Sequence, residues 1–174
     1  MFKFTRYQIS PKMQKSILGL LLIAVLGIGM ISCKEKKDEP TPSKTTEQLA
    51  IEDLAGTSSI AWTIAGGGSV VRDGRSETNI YQTFEIQFTT NASSKTYATV
   101  NNNSLFDNNG NWTFVGDNFD KIRLSGSQPV AGNEISFTRT GNDLILNFSI
   151  AVPSGRNLRS NAVAGSYTFT LKRK

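Results

Sequence analysis

Apolar and polar side chains alternate with a period of two through most of the chain after residue 80, and that alternation predicts strands. Across residues 81–89, Phe84, Ile86 and Phe88 share one face while Thr83, Glu85, Gln87 and Thr89 share the other, as in a sheet with one buried side. Residues 143–151 repeat the pattern with Leu144, Leu146, Phe148 and Ile150, and the last strand sets Tyr167, Phe169 and Leu171 against Thr168, Thr170 and Lys172. Shorter runs predict strands at 60–65, 69–72, 94–100, 111–115, 119–124 and 134–138. The single helical pattern, 47–54, ends at Gly56 and suits a cap over one end of a barrel.

Gly-, Asn- and Ser-rich turns separate these eight or nine strands, so the expected class is all-β, an antiparallel eight- to nine-stranded barrel with a β-sandwich as the alternative. No crossover helices are available for a parallel sheet. Asn109-Gly110 reads as a two-residue hairpin turn, because both central residues of a type I′ turn take positive φ. Gly66-Gly67-Gly68 and Thr140-Gly141-Asn142 read as turns of the same kind. Residues 49–174 form one domain, long enough to bury about two-thirds of the unfolded chain's surface.

Ahead of that domain the pattern changes to a continuous apolar run, 17–31, with Lys12 and Lys15 before it and Met30-Ile31-Ser32-Cys33 at its end. A basic flank, a short apolar stretch and a small residue before a cleavage point make a signal peptide. The run is shorter than the roughly 20 residues a spanning helix needs. Met13 offers a second, more compact start for the same signal.

Met30-Ile31-Ser32-Cys33 resembles the bacterial lipobox. That resemblance implies that residues 1–32 are removed and that Cys33 carries diacylglycerol on sulfur and an acyl chain on its new amino terminus. Several chains anchor stably where one does not, so the implied first partner is a lipid bilayer. Residues 33–48 then form a polar tether containing Lys34-Glu35-Lys36-Lys37-Asp38-Glu39-Pro40, disordered by composition and spanning roughly 20 Å on average. Charges directly after the cysteine resemble the export signal of surface-displayed lipoproteins in Bacteroidetes. The implied address is the outer membrane, at the cell surface or the periplasmic face.

The domain carries a second resemblance. Leu54-Ala55-Gly56 followed by Trp62, Phe106-x-x-x-Gly110-x-Trp112-x-Phe114, and Gly165-x-Tyr167-x-Phe169-x-Leu171 are similar to the lipocalin-like domains of Bacteroidetes lipoproteins. An up-and-down barrel is implied, without a substrate. Lipocalins proper place the tryptophan two residues after the glycine, whereas Trp62 stands six after Gly56.

Charge and composition then remove whole classes of chemistry. The chain has 19 Lys and Arg against 14 Asp and Glu, but removing residues 1–32 takes away Lys3, Arg6, Lys12 and Lys15 and no acid. The mature protein is nearly neutral, which argues against nucleic-acid binding. There is no histidine, and the one cysteine is Cys33. Ser-His-Asp and Cys-His catalysis and His-ligated metals are therefore denied. Carboxylates alone remain for hydrolysis, and most of them fall at turns or on outward strand faces, with Glu85 distinguished by sharing a face with Thr83 and Gln87.

Asp107-Asn108-Asn109-Gly110-Asn111 has alternating oxygen donors but fails the calcium-loop pattern, whose glycine is sixth and whose twelfth residue is Glu. A looser calcium site joining Asp107 with Asp117 and Asp120 competes with a plain hairpin turn, and no metal or cofactor is expected. Arg156, Arg159, Lys172, Arg173 and Lys174 form a basic C-terminal region that reads as a solvated rim.

The expectation is thus a non-enzymatic, membrane-anchored barrel that binds a small apolar ligand or a glycan, or else an accessory subunit of an outer-membrane assembly. Trp62, Tyr81, Tyr97, Trp112 and Tyr167 are the candidate ligand-binding residues, because aromatic faces with polar rims suit sugar rings. The competing reading of each is core packing. The same applies to Phe84, Phe88, Phe106, Phe114, Phe119, Phe137, Phe148 and Phe169. An eight-stranded barrel is just wide enough to be filled by side chains or to hold one small ligand.

Overall fold

A computed structural model describes residues 43–152 and 162–174. Residues 1–32, read above as a signal peptide, Cys33, most of the stretch read as a tether, and Arg156 and Arg159 lie outside the described residues. A short helix, α1 (Thr46–Ala55), precedes ten strands: β1 (Ser59–Thr63), β2 (Ser69–Arg72), β3 (Arg75–Ser76), β4 (Glu85–Thr90), β5 (Lys95–Val100), β6 (Asn109–Phe114), β7 (Lys121–Leu124), β8 (Glu134–Thr140), β9 (Asp143–Ile150) and β10 (Gly165–Arg173). From β4 onward each strand pairs antiparallel with the next, and β1 pairs with both β4 and β10. Eight strands therefore close into a barrel, as the alternation predicts, and closure excludes the sandwich. The small β2–β3 unit lies outside that ring, on β10.

Burial follows the alternation. In β9, Leu144, Leu146, Phe148 and Ile150 are buried, as are Tyr167, Phe169 and Leu171 of β10. Polar residues point outward, so the barrel inverts the apolar-out pattern of a transmembrane barrel. No helix among the described residues is long and apolar enough to cross a membrane.

Two glycine-containing segments behave differently from the hairpins expected of them. Gly66-Gly67-Gly68 does not reverse the chain. Thr63 faces Lys172 and Ser69 faces Thr170, so β1 and β2 run in the same direction along β10. Residues 64–68 loop out between them, closed by the Gly68 N–H donating to the Ile64 carbonyl at 2.9 Å.

Asn109-Gly110 likewise lies inside β6, opposite Ala98 and Tyr97. What demands glycine at 110 is proximity, since a Cβ there would stand 2.7 Å from Tyr97 Cε1 and 2.8 Å from the Ser125 carbonyl oxygen. The chain instead turns sharply at Asp73-Gly74, between β2 and β3, and at Gly141-Asn142, between β8 and β9, with Asp73 and both glycines at positive φ.

Helix α1 starts in a reciprocal capping box: the Thr45 hydroxyl accepts from the Gln48 N–H at 3.2 Å, and the Gln48 side chain accepts from the Thr45 N–H at 2.9 Å. Gly56 ends it. Leu54 and Ala55, fully buried, seat the helix on one end of the barrel. There the Trp62 indole donates to the Leu54 carbonyl at 2.8 Å and Arg139 Nη1 donates to the Glu52 carbonyl at 3.1 Å. The Leu54 carbonyl is one that the last turn of a helix leaves unpaired, and the Glu52 carbonyl accepts from Arg139 in addition to the Gly56 N–H at 3.0 Å.

Candidate functional site

The lumen is the first place to look in a barrel of this size, and here it is filled. Phe169 from β10 sits among the rings of Tyr81, Phe84, Phe106, Phe148 and Tyr167 at centroid distances of 5.1 to 6.2 Å. A second cluster joins Phe88, Trp112, Phe114 and Phe119. Of the eight phenylalanines singled out in the sequence, six are buried and Phe114 and Phe119 are half-buried. The buried apolar side chains form one continuous core from end to end.

All five aromatic candidates belong to that core, with exposures of 0 to 3%. They are not gathered on an outer face. Trp62 closes the helix-capped end through its bond to Leu54. Tyr97 donates to the Ser125 carbonyl at 2.7 Å, and Tyr167 donates to the Val163 carbonyl at 2.9 Å while stacking on Phe148. Tyr81 meets Phe84 and Phe169.

Trp112 has a fully buried polar atom without a partner: its indole N–H is unbonded among the described residues. It is edged by Phe88 and Phe114 in T-shaped contacts at 6.0 and 5.3 Å. Replacing either tryptophan by Phe removes similar volume, but only Trp62→Phe strands a carbonyl. In urea unfolding we expect Trp62→Phe to lose about 1–3 kcal/mol more than Trp112→Phe. Equal losses would mean that the Leu54 bond contributes nothing.

Burial pushes the Tyr81 and Tyr97 hydroxyls up to about 12, with Tyr167 and Glu77 adding to the first and Asp107 to the second. Both phenols are therefore neutral donors at any physiological pH. Their unfolded value is about 10. The folded state thus holds these protons more tightly, and its advantage is intact below pH 10 and drains away between about pH 10 and 12. Tyr97→Phe should flatten that alkaline decline by about 2 kcal/mol, read from urea midpoints at pH 8 and 11.5. An unchanged decline would remove Tyr97 from the linkage.

With the lumen closed, each barrel end carries a cleft lined by described residues. At the helix-capped end a cleft of about 630 Å³ lies between Ile51 of α1, the β4–β5 turn at Asn91–Ser94, and Trp112–Thr113. At the opposite end, where β5, β7 and β9 run out, a cleft of about 870 Å³ opens between the β5–β6 and β7–β8 connections, residues 150–151 and residues 162–163. Asn103, Ser104, Gln128 and Asn133 supply its polar groups, and Pro129, Ile150, Ala151 and Val163 its apolar wall.

Two carboxylates hold that rim together. Asp107 accepts from the Ser127 N–H with both oxygens at 3.0 Å and from the Gln128 N–H at 2.9 Å, tying the β5–β6 connection to the β7–β8 connection. Asp73 accepts from the Ser166 N–H at 2.9 Å and fixes the start of β10. Arg72, paired with Glu77 at 3.3 Å, donates to the Ala162 carbonyl at 2.9 Å. With Tyr167 it anchors the 162–163 edge of the cleft.

The looser calcium site does not assemble. Asp107 is occupied by backbone N–H groups at one end, Asp117 and Asp120 lie in the β6–β7 connection at the other, and among the described residues no three potential ligands converge. Glu85 pairs with Lys174 at 2.8 Å on the outer wall, and Asp143 pairs with Lys172 at 2.7 Å. Sequence reasoning passed over Gln128, Ser104 and Asn133, because hydroxyls and amides in loops look alike until the fold brings the loops together.

No protein-family model, curated protein or solved structure matches this chain, and the rim has to be read from its own geometry.

Proposed function

We propose that this chain is a lipid-anchored, non-enzymatic binding protein of a bacterial outer membrane, one that recognises its partner at the barrel rim opposite α1. The ring-filled lumen carries this reading: with Phe84 and Phe169 fully buried and Phe106 nearly so, recognition has to occur outside the barrel. The apolar run ending at Cys33 supports the anchor. The chain leads into the barrel through α1, so the rim at the other end is the one farthest from the point where a tether joins.

An accessory role in a membrane assembly is the second reading, favoured by exposed aliphatic side chains at the same rim. Val100 is 55% and Val152 72% exposed where β5 and β9 end.

Cys33→Ser should move the protein from the membrane fraction to the soluble fraction, and continued membrane association would refute the anchor. For the rim, a single new cysteine at Ser104 or at Ser94 can carry a benzophenone, since Cys33 is the chain's only thiol and lipid would block it. On intact cells, irradiation should give adducts from position 104 and none from 94. Adducts from 94 alone, or from neither, would sink the rim reading. Protein adducts would favour the accessory role.

A further inference from the structure

We infer that the cleft at the helix-capped end, between α1, the β4–β5 turn and β6, binds a small hydroxylated monocarboxylate of the sugar-acid class, with the Lys95 ammonium holding the carboxylate. This is a second site at the other end of the barrel, and it stands independently of the rim reading. Such a molecule is removed by washing, so a benzophenone at position 94 on intact cells still reports macromolecular neighbours alone.

The cleft exists because β5 and β6 part. They pair from Ala98–Asn109 to Thr96–Asn111, after which Trp112, Thr113 and Phe114 continue in register with Leu124, Arg123 and Ile122 of β7. The wedge this leaves has a volume of about 630 Å³, within the roughly 300–1,000 Å³ typical of small-molecule sites. Its outer wall is preformed. Asn91 Oδ1 accepts from the Ser93 and Ser94 N–H groups at 2.9 Å each, and the Asn91 N–H donates to the Ser94 carbonyl at 3.0 Å. A ligand therefore meets a turn that is already ordered, which lowers the cost of binding.

Lys95 sets the chemistry. It falls on the inward face of β5 with the buried Tyr97 and Thr99, but at the first position of the strand, where α1 crosses the barrel end. Its ammonium lies 6.0 Å from the Trp112 ring centroid, 5.7 Å from that of Phe114 and 3.3 Å from Glu47 Oε1. Two aromatic faces hold the cation in place. Its carboxylate partner is held less firmly, since the Glu47 side chain is 44% exposed and exposed ion pairs are weak.

Among the residues lining the cleft, Lys95 is the one that carries a charge. An ammonium donates and cannot accept, and the same is true of the Trp112 indole N–H, which has no acceptor among the described residues. Both call for ligand oxygen. A cationic ligand would be repelled by Lys95. A purely apolar one would desolvate that ammonium together with the hydroxyl and amide groups of Thr90, Ser93, Ser94, Asn111 and Thr113. A phosphate monoester would bring roughly two negative charges to a single ammonium that already has the Glu47 carboxylate beside it. One carboxylate balances one ammonium, hydroxyls on the ligand match the hydroxyl and amide walls, and the C–H surface of a sugar ring is left for Ile51 and Ala92.

The test titrates the full chain, purified in detergent, by calorimetry with glucuronate, galacturonate and mannuronate, with glucose, galactose and mannose as neutral counterparts and glucose 6-phosphate as the dianion. At least one sugar acid should bind, and its neutral counterpart should bind at least tenfold more weakly. Lys95→Gln and Glu47→Gln break the same ion pair, so mere loosening of α1 would weaken binding in both. Direct contact with Lys95 gives opposite signs instead. Lys95→Gln should weaken binding by about tenfold or more, whereas Glu47→Gln, which removes a competing carboxylate, should tighten it by about threefold. Gln87→Ala on the outer wall should change nothing. The chain has two tryptophans, so in a Trp62→Phe background Trp112 is the sole indole, and its emission should shift as the sugar acid binds. Equal affinity for acid and neutral sugar, unweakened binding in Lys95→Gln, weakened binding in Glu47→Gln, tightest binding of glucose 6-phosphate, or no sugar acid bound at all would each overturn the inference.

Discussion

Phe169→Ala should unfold with about 3–5 kcal/mol less stability than the parent chain and, in the same experiment, turn a solid barrel into one that takes up an apolar probe. Phe169 is fully buried and touches the rings of Tyr81, Phe84, Phe106, Phe148 and Tyr167. Removing its ring deletes five aromatic contacts at once. The surrounding strands are closed into a ring by the β1–β10 pairing, so they cannot collapse far into the gap, and an uncollapsed cavity is where large-to-small substitutions cost most. A void lined by aromatic carbon stays dry and accepts benzene or xenon. Benzene should therefore raise the melting temperature of Phe169→Ala and leave the parent unmoved. A loss below about 1.5 kcal/mol, or equal benzene stabilisation of the parent, would mean that the lumen already contains space, and the argument for an external site would lose its foundation.

The barrel was legible in the chain wherever a strand was long enough to show its period. β9 and β10 each display apolar residues at every second position, and both lie where the pattern puts them. β3 has two residues, both exposed, and two residues carry no period at all.

The misread turns are more instructive. Asn109-Gly110 has the composition of a type I′ turn, yet its glycine serves the approach of Tyr97 across a strand pair. Sequence cannot distinguish a missing Cβ required by φ from one required by a neighbour about 45 Å of contour away. Gly66–Gly68 looked like a reversal but only expels a loop, because the next strand along β10 is the same strand resumed.

The aromatic candidates were chosen for what their rings can stack on. The fold used those rings for packing, as buried area favours. Gln128 and Ser104 gave no signal, since their significance depends on three loops 20 or more residues apart converging on one rim.

The second large effect is expected where that rim is held. Asp107 binds the β7–β8 connection through four hydrogen bonds, from the Ser127 N–H to each oxygen, from the Ser127 hydroxyl at 3.3 Å and from the Gln128 N–H. Bonds to a charged acceptor contribute about 1.5–3 kcal/mol, so Asp107→Ala should cost about 2–3 kcal/mol. Gly126, at φ +146°, lies against the same carboxylate, and a Cβ there would overlap it. Gly126→Ala should therefore cost at least as much, through displaced hydrogen bonds and a backbone angle that L-residues avoid.

The double variant separates clash from strain. With Asp107 shortened to Ala, the space above residue 126 is vacant, so the overlap disappears and only the backbone strain persists. The combined loss should fall short of the sum of the two single losses by at least about 1 kcal/mol, the coupling expected of residues in contact. Strict additivity in urea unfolding would show that Gly126 is required for its φ alone. If the carboxylate also sets the rim, both single variants should lose affinity for any rim ligand beyond what reduced stability explains, because Gln128 would no longer be held in place before the ligand arrives.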